Sequence, residues 1–258
     1  MGLFRKVFLA AVGLFFLLPN IIVFIMSFTS STALIFPPKG FTLQWYYVAL
    51  TSEWFLKGIT NSLTAASFCT LLSIPVGVFA SYGLLRYRIR ARDVIQIYLL
   101  LPFTVPLIVQ GISLLFTYVR TGVYGNLLGI GFALMEINIP FMIWSVTSAI
   151  NRLDPNLEYA SMSLGAEEVQ TFFRVILPAL MPGVLSGALL MFILGLNEFI
   201  TSLMLVTIDI QTLPVALYTR IRTTISPDTA AAGTIYLILA VITVYALDKI
   251  VGLKNYLR

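Results

Sequence analysis

The sequence contains no histidine, and this absence excludes several kinds of active site. Ser-His-Asp and Cys-His catalysis, the HExxH zinc helix and imidazole proton relays all need the missing side chain. The chain also has a single cysteine, Cys69, which lies inside an apolar run, so a disulfide framework is excluded and a thiolate metal cluster is not expected. We therefore expect no catalytic residue and no metal site in this chain.

The phosphate-binding pattern GxxxxGK[ST] is absent as well, so any ATP that the protein uses must bind to a different polypeptide. Charge is scarce. Asp, Glu, Lys and Arg make up 10% of the 258 residues and 59% are hydrophobic, whereas soluble domains have about 25% and about 45–50%. A globule of this composition would lack polar cover in water, so the composition indicates an integral membrane protein.

Long apolar runs are what the chain does contain. About 20 apolar residues are enough for a helix to cross the hydrocarbon core of a bilayer. The runs predict an all-α integral membrane protein with six transmembrane helices, at residues 7–28, 58–85, 94–119, 126–150, 182–208 and 230–251. Residues 29–57 then form an outer loop that carries one or two short interfacial helices. Two GxxxG spacings, Gly125/Gly129 and Gly183/Gly187, favour close helix packing within one subunit.

The basic residues are distributed unevenly between the two sides that these spans define. Eleven of the sixteen fall on one side: Arg5, Lys6, Arg86, Arg88, Arg90, Arg92, Arg152, Arg174, Lys249, Lys254 and Arg258. By the positive-inside rule this bias predicts that both termini and the segment 152–180 are cytoplasmic. Topology also explains the four arginines of the loop 86–92, with contact to lipid or a partner as the other interpretation. Because Lys and Arg stand at the ends of apolar runs and not on one face, the net charge of +5 predicts no nucleic-acid partner.

One long polar passage, Asp154 to Pro178, separates two of the runs. Asp154 is a good N-cap and Pro155 suits the first position of a helix, so a helix is predicted to begin there. A second helix is predicted after Gly165, with an apolar stripe at i, i+3, i+4 and i+7 formed by Val169, Phe172, Phe173 and Ile176. Pro178 is predicted to close this second helix.

Two acidic residues interrupt the apolar runs, Glu136 and Glu198, the latter preceded by Asn197. A charge near the centre of a membrane helix costs about 2.5–3.5 kcal/mol on the insertion scale, so neither side chain is expected to face lipid. They either serve packing and subunit interfaces or line a pathway. The outer-loop aromatics Trp45, Tyr46 and Trp54 form either an interfacial belt or a docking surface.

The polar passage resembles the EAA signature of binding-protein-dependent ABC importer permeases. The matching residues are Glu158-Tyr159-Ala160, Gly165-Ala166 and Ile176-Leu177-Pro178, with Tyr159 in place of the first alanine as a departure. The stretches 41–47, 61–63 and 196–199 also look like these permeases. Residues 211–214, Tyr218 and residues 225–227 are similar to the subgroup that handles spermidine, putrescine and related small cations.

The resemblance implies a type I ABC importer permease fold in the bacterial inner membrane. It implies an ABC ATPase dimer that binds ATP and Mg, a second permease subunit homologous to this one, an extracytoplasmic solute-binding protein and surrounding lipid as partners. The segment 152–180, called the EAA segment below, would then couple to the ATPase through Glu158, Ala160, Gly165, Ala166, Leu177 and Pro178. An exposed carboxylate at Glu158 suits contact with the ATPase.

The function that follows is ATP-driven import by alternating access of a small polar solute, polyamine-like and cationic. Glu136, Asn197 and Glu198 would line its pathway, and Trp45, Tyr46 and Trp54 would contact the binding protein. The alternatives are a secondary transporter or channel subunit that needs no ATPase, and a membrane scaffold. A transporter of the first kind predicts an intramembrane ion pair, a filter loop or repeated halves, none of which the sequence suggests. A scaffold would copurify with no nucleotide-binding subunit.

Overall fold

A computed structural model describes residues 2–251, which fold almost entirely into helices. Outside the helices, an isolated bridge joins Thr29 and Phe41. The helices are α1 (Leu3–Met26), α2 (Gln44–Thr51), α3 (Glu53–Arg86), α4 (Arg92–Leu100), α5 (Leu107–Thr121), α6 (Leu127–Arg152), α7 (Asn156–Ser163), α8 (Glu168–Thr171), α9 (Leu177–Asn197), α10 (Ile200–Leu205), α11 (Leu213–Thr223) and α12 (Pro227–Val251). Lys254 and Arg258, which contribute to the predicted charge bias, lie outside the described residues.

Five of the helical stretches in residues 2–251 are long and apolar enough to cross a membrane: Phe4–Met26, Glu53–Arg86, Leu127–Arg152, Glu168–Asn197 and Pro227–Tyr245. A sixth span exists if the bent pair Val94–Phe103 and Leu107–Thr121 crosses together. The all-α membrane fold is therefore confirmed, with five or six candidate spans.

The predicted span at residues 94–119 is not one straight helix. Its two halves meet at 98°, at a 3₁₀ turn formed by Leu101–Phe103. Pro102 and Pro106 each lack a backbone N–H, which interrupts the helical hydrogen bonds at this place. The side-chain amide of Gln110 donates to the carbonyl oxygens of Pro102 (2.6 Å) and Val105 (2.7 Å), and so satisfies acceptors that the bend exposes.

The predicted span at residues 182–208 also differs from the structure. α9 ends at Asn197, and the short α10 follows after Glu198 and Phe199. At its other end, α9 continues from α8 through a π-helical turn, Phe172–Ile176. The prediction that Pro178 closes a helix is therefore wrong. The hydrogen bonds shift register there, since the N–H of Leu177 donates to the carbonyl of Phe172, and the wider turn tolerates the missing N–H of the proline that follows.

The described chain divides into two compact units, and the predicted single permease domain over residues 1–258 stays a prediction. The first unit comprises residues 2–59 and 213–243, with a small core of Ala49, Phe55, Leu213, Ala231 and Ala232. The second unit comprises residues 60–212 and 244–251, and its core is built largely on α6 and α9.

Two glycines of α9 allow the close approach of α6 in the second unit. A Cβ atom at Gly183 would collide with the side chain of Ala149, and one at Gly187 would collide with that of Met142. Ser145 strengthens the contact, because its hydroxyl donates to the carbonyl of Gly183 at 2.8 Å. The predicted packing role of Gly183 and Gly187 within one subunit is confirmed.

Candidate functional site

The predicted helix pair is present in the EAA segment. α7 begins at Asn156 with Pro155 as its N-cap, one residue later than predicted, and the side chain of Asp154 accepts a hydrogen bond from the N–H of Asn156 at 2.9 Å. Gly165 follows α7 with φ of +90°, a left-handed conformation that glycine adopts without a Cβ clash. The chain then enters α8 at Glu168. Local sequence signals therefore located the turn at Gly165 and, to within one residue, the start of α7.

The six residues that the resemblance assigned to coupling occupy different environments. Ala160 and Gly165 are exposed, and the N–H of Ala166 donates to the carbonyl of Ser161 at 3.2 Å, which closes the turn after α7. Leu177 is partly buried against the core of the second unit, whereas Pro178 is exposed. The last two residues thus belong to the first turn of a membrane helix and not to a separate cytoplasmic one.

The sixth residue, Glu158, is paired inside the chain. Its Oε1 atom lies 2.9 Å from Nε of Arg86, and the hydroxyl of Tyr82 donates to it at 3.4 Å. The side chains of Arg86 and Glu158 are only 21% and 19% exposed, so this carboxylate is less accessible than expected. Nε and Nη2 of Arg86 have no hydrogen-bond partner among the described residues, so the contact is an ion pair and not an aligned hydrogen bond.

The neighbouring Tyr87 makes a second contact of this kind, because its hydroxyl donates to Oε1 of Glu168 at the start of α8. This hydrogen bond, with a smaller contribution from burial, raises the pKa of Tyr87 above its ordinary value. A cleft of about 240 Å³ lies between the end of α3 and the EAA segment. The polar residues that line it are Tyr82, Arg86, Tyr87, Glu158, Tyr159, Glu168 and Thr171.

Sequence reasoning missed these partners of the EAA segment. From the sequence, Arg86 is only one of the basic residues that indicate the topology, and no pattern singles out Tyr82. Tyr82 lies 76 positions from Glu158 along the chain, so no local spacing connects them. The available signal was weak: two tyrosines and an arginine at the end of a long helix, together with a carboxylate expected on the same side of the membrane.

The two membrane acids have different surroundings. Glu136 is exposed on α6 between the buried residues Met135 and Ile137. Glu198 follows α9, and its two carboxylate oxygens accept hydrogen bonds from the N–H groups of Thr201 and Ser202, both at 2.9 Å. No hydrogen bond joins the two acids in the described part of the chain. Glu198 therefore caps α10, a role that sequence reasoning did not foresee.

Asn197, the third residue of the predicted pathway, is exposed, and its side-chain amide donates to the carbonyl of Ile193 at 2.8 Å. A carboxylate can accept about four hydrogen bonds, and the described backbone uses two of those of Glu198. Acceptor capacity for a cation therefore remains at the break between α9 and α10.

The three outer-loop aromatics pack within the first unit. The indole N–H of Trp45 donates to the carbonyl of Thr29 at 2.8 Å, and the hydroxyl of Tyr46 lies 2.5 Å from that of Ser27. The ring of Trp54 lies 5.1 Å from the guanidinium carbon of Arg220. All three are partly buried, so the polar ends of these side chains help to fix the outer loop itself.

Comparison with known proteins shows which family and which individual proteins this chain is similar to. Residues 73–254 match the family described as "Binding-protein-dependent transport system inner membrane component". The spermidine/putrescine transport system permease protein PotC of Escherichia coli is 30% identical over 244 residues, which cover 95% of this chain and 92% of that protein. A probable molybdenum ABC transporter permease protein of Haloferax volcanii is 34% identical over 177 residues, 66% of this chain and 65% of that one.

The fold has a counterpart among solved structures. A chain in the crystal structure of a bacterial alginate ABC transporter in complex with an alginate pentasaccharide-bound periplasmic protein gives a TM-score of 0.75. Sequence identity is 16%, and the match covers 96% of this chain and 92% of that chain. At this identity the likeness concerns the fold, and it confirms an ABC importer permease fold.

Proposed function

We propose that this chain, which belongs to the family of binding-protein-dependent transport system inner membrane components, forms half of the translocation pathway of a type I ATP-driven importer. Its EAA segment couples to a separate ATPase dimer, which binds ATP and Mg. A homologous second permease subunit completes the pathway in the bacterial inner membrane. An extracytoplasmic binding protein delivers the solute. Both chain termini and the EAA segment are cytoplasmic, in agreement with the charge bias of the sequence.

The observation that carries this proposal is the continuity between the EAA segment and the membrane. α7 and α8 meet at the left-handed turn of Gly165, and α8 continues without a break through the π turn into α9. A force applied to α8 therefore acts directly on a membrane helix. Glu158, Ala160, Gly165, Ala166, Leu177 and Pro178 are the residues through which we expect the ATPase to act.

The coupling role can be tested by affinity purification of the tagged chain together with uptake measurements. The wild-type chain should bring down a nucleotide-binding subunit. Gly165→Pro should abolish uptake and weaken that association while membrane insertion is unchanged, because proline cannot adopt φ of +90°. Gly13→Ala in α1 is the control, since a Cβ atom there has open space and φ is not positive. If the wild-type chain brings down no nucleotide-binding subunit, the scaffold interpretation is favoured.

For the solute we propose a small polar cation of the polyamine class. Glu136 in α6 and Glu198 at the break after α9 form no ion pair among the described residues, and two such carboxylates favour a cation; the relative PotC is named for spermidine and putrescine. The relative named for molybdenum shows that the family also includes members with other names. Glu136, Asn197 and Glu198 would line the pathway. Trp45 and Tyr46 of α2 and Trp54 of α3 would contact the binding protein.

Uptake of radiolabelled putrescine, spermidine and molybdate by the reconstituted importer separates these solutes. Glu136→Gln and Glu198→Gln should reduce uptake of the cations, because each removes a negative charge from the pathway. Glu53→Gln is a matched control, since this residue is exposed at the start of α3. Transport of molybdate but not of putrescine or spermidine would contradict the solute class and leave the coupling role intact.

A further inference from the structure

The end of α3 holds both helices of the EAA segment. Arg86 reaches Glu158 in α7 with a separation of 2.9 Å between Nε and Oε1. The next residue along the chain, Tyr87, donates its hydroxyl to Glu168, the first residue of α8. Two adjacent residues, the last residue of α3 and the one that follows it, thus contact the two helices that flank the turn at Gly165, one residue to each helix.

Packing supports the same contact from the apolar side. The ring of Phe172, in the π turn after α8, lies 4.9 Å from that of Tyr82 and 5.7 Å from that of Phe79, both in α3. Phe172 is 7% exposed. The last turns of α3 therefore contact α7, α8 and the π turn at once, with an ion pair, a hydrogen bond and an aromatic cluster.

We propose that residues 79–87, the end of α3 and the residue that follows it, form a clasp that makes α3 move together with the EAA segment, and that Arg86 and Tyr87 are its positioning residues. The clasp gives the ATPase a second connection to the membrane helices besides the continuous helix into α9. This inference rests on the proposed coupling function. It assigns Glu158 to a partner within its own chain, in contrast to direct contact with the ATPase.

The chemistry of the Arg86–Glu158 pair suits a contact that persists during movement. Both side chains are mostly buried, so loss of either partner leaves the other charge where water solvates it poorly. An ion pair depends less on angle than a hydrogen bond does, and the Nε–H group of Arg86 is not aligned on the carboxylate. α7 can therefore rotate by a few degrees without separating the charges.

Charge reversal distinguishes the clasp from contact with the ATPase. Arg86→Glu and Glu158→Arg should each lower uptake at least tenfold, because each variant places two like charges together. The double variant Arg86→Glu/Glu158→Arg should recover most of the uptake, because it restores opposite charges. If Glu158 instead pairs with the ATPase, the double variant will be as defective as Glu158→Arg alone, and this result would overturn the proposal.

The pair Glu53–Lys57 provides the matched control. Both residues belong to α3, and Oε1 of Glu53 lies 2.6 Å from Nζ of Lys57, but the side chain of Glu53 is 79% exposed and that of Lys57 is 61% exposed. Exchange of these two charges should leave uptake within about twofold of wild type, as expected for an exposed pair. An equal loss in this exchange would show that charge in α3 in general, and not the clasp, determines uptake.

A second readout separates positioning from folding. In the Arg86→Gln and Tyr87→Phe variants the ATPase should still copurify and hydrolyse ATP at its basal rate. Solute uptake, and the increase in ATP hydrolysis that accompanies uptake, should both fall. Loss of copurification together with uptake would mean that these residues only hold the segment folded, and the clasp would be refuted. The proposed function is tested separately, since it fails if the wild-type chain binds no ATPase.

Discussion

Substitutions at Gly165 should impair uptake in an order that the backbone conformation sets. The residue has φ of +90°, a Cβ atom there would meet no neighbouring atom, and its N–H donates to the carbonyl of Met162 at 3.0 Å. A Cβ atom therefore meets no steric obstacle at this position, and the cost of a substitution is set by the backbone conformation. Asn tolerates left-handed conformations best, Ala costs about 1–2 kcal/mol, Val more, and Pro both forbids the angle and removes the donor.

A cost of about 1–2 kcal/mol lowers the population of the native turn about 5- to 30-fold relative to competing conformations. We expect uptake and ATPase copurification to fall in the order Gly, Asn, Ala, Val, Pro, measured in membranes that contain equal amounts of inserted chain. Gly13→Ala in α1 should behave as wild type, since φ is not positive there and a Cβ has open space. Equal activity of the Ala and Pro variants, or an Asn variant worse than Val, would refute the reasoning.

Three other predictions concern stability and ionisation. Gly187→Leu should destabilise the detergent-solubilised chain by at least about 1–3 kcal/mol because its side chain would collide with Met142 across the α6–α9 contact, whereas Gly233→Ala, in open space, should not lower the thermal midpoint. Asp228→Asn should lower the thermal midpoint by the equivalent of about 2 kcal/mol. This is less than the ~3–5 kcal/mol of a fully buried pair, because the side chain of Asp228 is 8% and that of Arg220 36% exposed. The double variant Asp228→Asn/Arg220→Gln should be closer to wild type, and a loss as large as that of Asp228→Asn alone would contradict the pairing. Tyr87 donates to Glu168 only while its hydroxyl is neutral, and its pKa in the folded protein is raised, so this bond should be intact below about pH 10 and lost as the pH rises through the raised pKa. An ultraviolet difference titration of wild type against Tyr87→Phe should show that the Tyr87 hydroxyl ionises above its ordinary pKa, and ionisation below pH 10 would contradict the prediction.

Short-range signals in the sequence predicted the parts of the site that depend on local conformation. Asp154, Pro155 and Gly165 act within a few residues, and the helix pair begins and turns where they indicate. Pro178 misled the same reasoning, because a proline is compatible with a helical run where a π turn shifts the hydrogen bonds. No pattern in the sequence indicates this shift in the register of the hydrogen bonds.

Long-range contacts were beyond sequence reasoning for a different reason. The pairing of Arg86 with Glu158 depends on how α3 and α7 pack, and one sequence carries no record of which distant residues meet. The role of Glu198 was missed because α9 ends at Asn197, which turns an apparent intramembrane charge into the cap of α10. Apolar composition alone predicts a long span there and hides the break.

The two connections between the EAA segment and the membrane should fail in different ways. The run from α8 to α9 is covalent and helical, so a substitution within it changes the direction in which force is delivered but cannot disconnect it. The contacts of α3 are non-covalent, and each can be lost separately: the ion pair of Arg86, the hydrogen bond of Tyr87 and the ring contacts of Phe172. Combined substitutions in the clasp should therefore reduce uptake in steps, with effects larger than additive because the three contacts share one helix end. A single substitution at Gly165 alters the geometry that both connections depend on, which is why we expect it to cause the most complete loss.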